Sequence, residues 1–250
     1  MPAGECAGHA RRYIGKCVAA GWPGMLSADE AQILATSFWV AANAVLWSLP
    51  FAVAAAFILS RRFPGKLALE GVTHLPIILP PVLVGFLLLM LFGRRGPLGV
   101  LLARLGVHLA FTASGAALAT AVMIFPVFVR SIRLSFEATD RNLFEAAAVL
   151  RAGPFDRFVS IALPLAAPGI LAGVVMAFAT ALGEFGAVIT FAANIPGQTQ
   201  TLPLAIYAVL QQPGGEAEAA RLATLSFILA MLALVAASFL QRWSVRRLSG

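Results

Sequence analysis

The sequence is dominated by five long apolar runs in which ionisable side chains are almost absent. They cover residues 33–59, 71–92, 105–129, 158–183 and 222–241. Within them the ionisable residues are His74 and His108. Each run reaches the ~20 residues that a helix needs to cross a hydrocarbon core of ~30 Å at ~1.5 Å per residue. The sequence therefore predicts an all-α integral membrane protein with five transmembrane helices.

The composition supports a membrane protein. Apolar residues make up 60% of the chain and charged residues 12%, with a mean hydropathy of +0.89, whereas soluble domains carry roughly 25% charged residues. The net charge of +7 raises the question of nucleic acid, but the basic residues flank apolar runs. The tendency of cytoplasmic loops to be basic explains them better. We therefore expect membrane lipid, and no nucleic acid, as a partner.

Several prolines lie inside the apolar runs: Pro50, Pro76, Pro80, Pro81 and Pro126. In a membrane bundle such prolines are tolerated, because neighbouring groups restore the lost hydrogen bonds. They predict bent helices.

The distribution of basic residues predicts the orientation. If the first span runs from outside to inside, the inner segments hold 11 basic residues and the outer loops hold 4, or 7 with the amino-terminal tail. The positive-inside rule then places the amino terminus outside and the carboxyl terminus in the cytoplasm. The segment between the third and fourth spans is cytoplasmic in this arrangement.

Residues 1–24 do not fit the rest of the chain. They contain Cys6 and Cys17, too few cysteines for a disulfide framework, and no apolar run of the kind that a signal peptide requires. We expect translation to begin at Met25, which would make 25–250 the transmembrane domain and 1–24 a poorly assigned tail. Intact-mass measurement of the native protein would decide this.

A short charged segment between spans three and four has the pattern of a capped amphipathic helix. Asn142 and Glu145 have capping-box spacing, while Gly153 and Pro154 predict the end of the helix, with Gly153 in a left-handed cap. An apolar stripe runs along the predicted helix: Leu143, Ala146, Ala147 and Leu150. The stripe can dock in a groove of another protein, or it can lie on the lipid headgroups. The small alanine side chains favour close approach by a protein surface.

The same segment resembles a known motif. Glu145-Ala146-Ala147, with Gly153 and then Ile161-Ala162-Leu163-Pro164, resembles the EAA motif of ABC importer permeases, in which this helix couples to an ATPase. Three further stretches resemble molybdate permease subunits: residues 74–81, 182–187 and 194–201. The resemblance covers almost the whole chain from Met25. It departs at Gln198, where many relatives would have Glu.

The resemblance implies a type I importer permease in the bacterial inner membrane, driven by ATP hydrolysis on a separate subunit. The expected assembly is a homodimer of permease chains with two ATP-binding subunits and a periplasmic oxyanion-binding protein. The residues expected to contact the ATPase are Glu145, Ala146, Ala147, Leu150, Gly153 and Pro164. The chain itself has no Walker A loop, so we expect no ATPase site, no cofactor and no metal.

Glu184 is an acidic residue in an otherwise apolar region and is therefore a functional candidate. An ionised carboxylate would repel an anionic substrate, so we interpret Glu184 as a structural or outer-gate residue. Gly183 and Gly186 beside it would allow close helix packing.

Other functions fit less well. A secondary transporter would usually show inverted repeats, which this sequence lacks, and an intramembrane hydrolase would need a nucleophile and a base that are not evident. Within the importer interpretation, molybdate, tungstate and sulfate are all tetrahedral dianions. The residues alone do not rank them.

Overall fold

The computed structural model describes residues 27–248, and all regular secondary structure in that part of the chain is helical. The fold class predicted from the sequence is confirmed. The helices, in chain order, are α1 (Ala28–Leu59), α2 (Lys66–Ile78), α3 (Pro81–Phe92), α4 (Pro97–Ala103), α5 (Ala113–Glu137), α6 (Arg141–Val149), α7 (Pro154–Arg157), α8 (Leu163–Leu182), α9 (Gly186–Phe191), α10 (Leu202–Leu210) and α11 (Glu216–Leu248). A π-helical turn, Phe158–Ala162, joins α7 to α8.

Four helical segments of the described chain are long and apolar enough to cross a membrane: Ala28–Leu59, Ala113–Glu137, Pro154–Leu182 and Glu216–Val235. The fifth predicted span is not one straight helix. It corresponds to α2 and α3, which meet at an angle of 110° and count as a single span only if that pair is a broken helix.

The bend between α2 and α3 follows from two consecutive prolines. Leu79 precedes Pro80 and has an extended backbone, with φ −75° and ψ 146°, because the ring of a following proline disfavours the helical conformation. Pro81 then starts α3, a position that needs no N–H donor. The prolines predicted a bent helix, and the structure places a break there.

The third span begins later than predicted. Residues 105–112 belong to the apolar run, but α5 begins at Ala113, where the Thr112 side chain caps the helix by accepting from the Gly115 N–H at 3.1 Å. Gly106 has a φ of 73° and Phe111 a φ of 62°, both in the left-handed region that a helix cannot use. This segment is therefore an apolar loop.

The core lies where α1, α5 and α8 cross. Small side chains on α1, including Ala41, Ala44, Ala52 and Ala56, are fully buried against large ones on α5. On α8, a Cβ added to Gly173 would lie 3.0 Å from Ile132 and 3.2 Å from Phe128. Close approach of helix backbones through small residues is the usual way to pack helices in lipid.

The bundle has two distinct ends. One end carries α6, between the last turn of α5 and the start of α7. At the opposite end the first three turns of α1 are tied to distant segments: Arg221 contacts Glu30 at 2.9 Å, the Gln32 side chain donates to the Gly197 carbonyl at 3.1 Å, and the Leu202 N–H donates to Ser37 at 2.8 Å. Ser27 and Glu30 form a capping box at this helix start.

Gly85 on α3 tests the close packing behind the bend. A Cβ at this position would lie 2.5 Å from the carbonyl oxygen of Ala187 and 2.9 Å from the Cβ of Thr190, both on α9. We expect Gly85→Ala to lower the free energy of unfolding by about 1–3 kcal/mol through overpacking. Thermal unfolding of the purified protein in detergent measures this change.

Gly71→Ala is the matched control, because a Cβ there would have no neighbour within 4 Å and Gly71 lies inside α2. Replacing an exposed helical glycine by alanine should leave stability unchanged or raise it by up to ~1 kcal/mol. Equal Tm values for the two variants would contradict the packing of α3 on α9.

Candidate functional site

The helix α6 begins at a different cap from the one predicted. The N-cap is Asp140, whose carboxylate accepts a hydrogen bond from the Asn142 N–H at 3.0 Å. Asn142 is inside the first turn, so the predicted capping box of Asn142 and Glu145 is wrong. Asp140 is a stronger choice physically, since its negative charge also interacts favourably with the helix N-terminus.

The end of α6 also differs in its details. The last helical residue is Val149, with Leu150 as the C-cap. The left-handed residue is Arg151, with a φ of 60°, whereas Gly153 has a φ of −65° and starts the next helix as its N-cap. The prediction of a left-handed cap at Gly153 is therefore wrong. No local backbone conformation requires glycine at this position, and a Cβ there would have no neighbour within 4 Å.

The two faces of α6 have different environments. Phe144 is half-buried and packs against the core formed by α1, α5 and α8. The predicted stripe faces away from the bundle: Leu143 and Ala146 are exposed, and Leu150 is 82% exposed. Ala147 lies at the border between the two faces and is half-buried. Glu145 is exposed as well.

Sequence reasoning missed Phe144 as the residue that holds α6 to the bundle. The spacing of Phe144 and Ala147 does indicate this contact, because residues three apart share a helix face. The stripe that includes Leu143 and Leu150 has more residues, so the sequence predicts one apolar face, whereas the helix has two.

Three phenylalanines cluster beneath this end of the bundle. The ring centroids of Phe57 and Phe158 are 4.5 Å apart, those of Phe57 and Phe136 are 5.4 Å apart, and those of Phe136 and Phe158 are 6.4 Å apart. Aromatic pairs at these separations stabilise packing beyond the area they bury. The cluster joins the last turns of α1 and α5 to the helix that follows α6.

Pro164, the last residue of the predicted motif, explains the π-helical turn. A proline inside a helix has no N–H and its ring collides with the carbonyl four residues earlier. The turn Phe158–Ala162 immediately precedes it, and the Leu163 N–H donates to the Phe158 carbonyl, five residues back. Pro164 itself is exposed. The wider turn accommodates the proline without ending the helix.

The second predicted site lies between α8 and α9. The Glu184 carboxylate accepts a hydrogen bond from the Ala187 N–H at 3.0 Å, so it caps the start of α9. Gly186 packs on the first residue of α3, since a Cβ there would lie 2.6 Å from the Cβ of Pro81. Gly183 is the C-cap of α8 and has more room. Residues 183–186 are thus next to the bend between α2 and α3.

The fold, a bundle of long apolar helices with a short exposed helix held at one end, is that of a type I ABC importer permease. A crystal structure of a bacterial alginate ABC transporter, in complex with an alginate-bound periplasmic protein, shares this fold with a TM-score of 0.70 at 15% identity. The match covers 86% of this chain and 79% of the transporter chain.

Residues 48–250 match the family described as the inner membrane component of binding-protein-dependent transport systems. Two relatives are the proteins named molybdenum transport system permease protein ModB from Escherichia coli K12 and Haemophilus influenzae. The first is 50% identical over 89% of this chain and 98% of its own length, and the second is 45% identical over 88% and 96%. The chain therefore belongs to the family of binding-protein-dependent inner membrane permeases.

Asp140→Ala tests the cap of α6. Losing an N-cap side chain costs about 1 kcal/mol, so the amides of the first turn of α6 should exchange roughly fivefold faster. Hydrogen exchange of the purified chain, followed by mass spectrometry, measures this. Asn142→Ala is the control and should change exchange little, because its side chain makes one long contact, at 3.5 Å, to Asp140. If Asn142→Ala increased exchange more than Asp140→Ala, Asn142 and not Asp140 would be the N-cap.

Proposed function

We propose that this protein is the permease subunit of an ATP-driven importer for molybdate, and that it forms the translocation pathway and couples it to a separate ATPase. The observation that carries the substrate is the 50% identity to the E. coli molybdenum permease over nearly the whole of both chains. The substrate proposed for this chain is the oxyanion molybdate, because that is the form that molybdenum takes in water. The coupling role is supported by the geometry of α6.

The exposed face of α6 is the ATPase-coupling surface in this proposal. An apolar side chain as exposed as Leu150 is unfavourable in water and gains free energy when a partner covers it. Ala146 and Ala147 keep the surface small enough for close approach, and Glu145 offers a charge at its edge. Gly153 fits the same role. No contact within this chain requires glycine there, and the open space around it would let a partner's backbone approach closely.

The assembly that we propose contains two permease chains, two cytoplasmic ATP-binding subunits and a periplasmic oxyanion-binding protein. Four or five spans are few for enclosing a pathway, which supports pairing with a second copy. Closure of the ATPase subunits on ATP would move the docked α6 helices, and the bundle would shift between inward-open and outward-open states.

At the other site, we propose that residues 183–186 contribute to the outer gate. Glu184 holds the start of α9 through the Ala187 N–H, and α9 packs on α3 at the bend. A segment that is hydrogen-bonded internally but joined to its neighbours by small residues can move as one piece. Glu184 has a positioning role here and does not contact the anion.

The proposed orientation puts the α6 end in the cytoplasm and the amino terminus outside. We expect a membrane-impermeant maleimide to label intact cells carrying Arg104→Cys, and to reach Val149→Cys only after permeabilisation. Both positions are exposed in the isolated chain and Val149 lies on α6 outside the apolar stripe, so a docked ATPase should leave it accessible. Cys6 and Cys17 are first replaced by serine. Labelling of position 149 in intact cells would refute the coupling role of α6.

Leu150→Asp tests the coupling surface. A charge buried in a docked apolar contact should weaken the complex with the ATPase roughly thirtyfold or more, which corresponds to ~2 kcal/mol. Co-purification of the ATP-binding subunit and the ATPase activity of the complex report the loss.

Val149→Asp is the matched control for this test. Val149 is also 82% exposed and receives the same charge, but it is turned by about 100° around the helix from Leu150. It should retain most of the ATPase association. Equal losses in the two variants would argue against a specific docking stripe.

The substrate can be tested in liposomes that contain the complete importer with its cognate binding protein. We expect ATP-dependent uptake of radiolabelled molybdate, competed by unlabelled molybdate and tungstate and weakly by sulfate. Competition by sulfate as strong as that by molybdate would make this a sulfate permease. Uptake that persists without ATP, driven by an ion gradient, would indicate a secondary transporter.

A further inference from the structure

A basic cavity lies at the α6 end of the bundle, between α6, the last turn of α1 and the first residue of α2. Its volume is about 620 Å³. Its lining includes four cationic side chains, Arg61, Arg62, Lys66 and Arg157. It also includes two carboxylates, Glu137 and Glu145. Arg61, Arg62 and Lys66 lie in the loop after α1 and at the start of α2, and Arg157 ends α7. The fold brings these two distant segments together. In the sequence, the same four cations contribute only to the basic bias that predicts the orientation.

The positive charge in the cavity exceeds the negative charge. Of the two carboxylates, Glu137 is already engaged outside this lining, because the Nε of Arg133 on α5 donates to it at 2.6 Å. Arg133 also contacts Glu70 on α2 at 2.5 Å. Among the described ion pairs within 4.0 Å, none involves the four cations that line the cavity. A concave surface with surplus positive charge attracts an anion.

Two of the arginines have surroundings that suit an anionic ligand. The guanidinium of Arg61 lies over the ring of Phe57, at 4.3 Å from the ring centroid, which orients it and leaves its N–H groups available. The Nε of Arg157 is buried and has no hydrogen-bond partner among the described residues. Buried N–H groups of charged side chains are rarely left unpaired, because desolvation without an acceptor is costly.

We propose that this cavity binds a net-anionic phosphate group. Arginine forks match the oxygens of a phosphate and form charge-assisted hydrogen bonds with them, and the Arg157 Nε lacks such an acceptor. The position of the cavity favours the headgroup of an anionic phospholipid. Lys66 adjoins Leu67, which is 83% exposed, and α1 ends just after the exposed Ile58, so acyl chains could lie against apolar surface beside the charges. Cationic pockets between membrane helices recognise anionic headgroups in this way.

The ligand would bind on the opposite side of α6 from the coupling stripe. The cavity lining from α6 is Phe144 and Glu145, so Glu145 is the one proposed coupling residue that borders the cavity, whereas Leu143, Ala146 and Leu150 face away from the bundle. A bound phosphate would therefore touch the wall formed by α6 while an ATPase occupied the other face. Only the assignment of this end to the cytoplasmic leaflet rests on the function proposed above.

The test uses the purified full-length chain in detergent, titrated separately with phosphatidylglycerol, phosphatidylcholine and inorganic phosphate, with bound ligand counted by native mass spectrometry. Phosphatidylglycerol should bind more tightly than phosphatidylcholine, whose choline offsets the phosphate charge. Arg62→Gln with Arg157→Gln should weaken binding roughly tenfold to a hundredfold, as expected for lost charge-assisted hydrogen bonds.

Two controls separate this site from general surface charge. Arg95→Gln with Arg104→Gln removes the same charge from exposed positions outside the cavity and should leave the binding unchanged. Arg157→Lys keeps the charge but removes the Nε donor and the guanidinium fork, so it should bind more weakly than the native chain and more tightly than the double variant. If the double variant does not fold, Lys66→Gln replaces it, with a smaller loss expected.

The outcomes identify the source of the phosphate. Binding of phosphatidylglycerol without competition by inorganic phosphate indicates a lipid headgroup, and binding of inorganic phosphate alone indicates a free anion. Equal binding of the two lipids with none of phosphate, or an Arg62 and Arg157 double variant that matches its control, overturns the proposal. Because the assay uses neither ATP nor the ATPase, its result is independent of transport.

Discussion

The close crossing of α5 and α8 is the contact on which the rest of this structure depends. At Gly173 the two helices approach so closely that a methyl group would press on Ile132 and Phe128, and at Gly169 an added Cβ would overlap the Ser135 side chain. In lipid, helices gain little from apolar burial alone, so such backbone approach supplies much of the packing energy. Because α6 is connected to α5 on one side and, through α7, to α8 on the other, this crossing also fixes the distance that the α6 segment bridges.

That geometry would make α6 a rigid element in the coupling role proposed for it. Only residues 138–140 separate α5 from α6, and only 150–153 separate α6 from α7. Beyond α7 the helix continues through a π-helical turn to Leu182, so the segment Pro154–Leu182 can transmit a displacement along its length. Phe158 in this turn contacts Phe57 and Phe136, which ties the same displacement to α1 and α5. In the proposed coupling, a push on α6 would therefore reach the three helices of the core together.

The sequence predicted the spans well and their boundaries less well, for identifiable physical reasons. Absence of charge identifies chain that can enter lipid, and four of the five apolar runs contain the expected long helices. It does not distinguish a helix from an apolar loop, so residues 105–112 were included in a span although Gly106 and Phe111 have left-handed backbones. The double proline at 80–81 predicted a bend, but its angle depends on how α3 packs on α9 at Gly85 and Gly186, which are distant in sequence.

The same limit applies to the site. The existence of a capped helix over 141–149 could be read from local residue types, yet Asp140 and Asn142 are both good caps and only the observed backbone decides between them. Arg151 in a left-handed conformation is locally unfavourable and could not be anticipated. In the proposed function the two faces of α6 matter most. One face is anchored through Phe144 and borders a cavity built from three separate segments, while the other is free. Since those contacts depend on tertiary packing, a periodic pattern on one helix could predict the exposed surface and could not reveal the cationic cavity behind it.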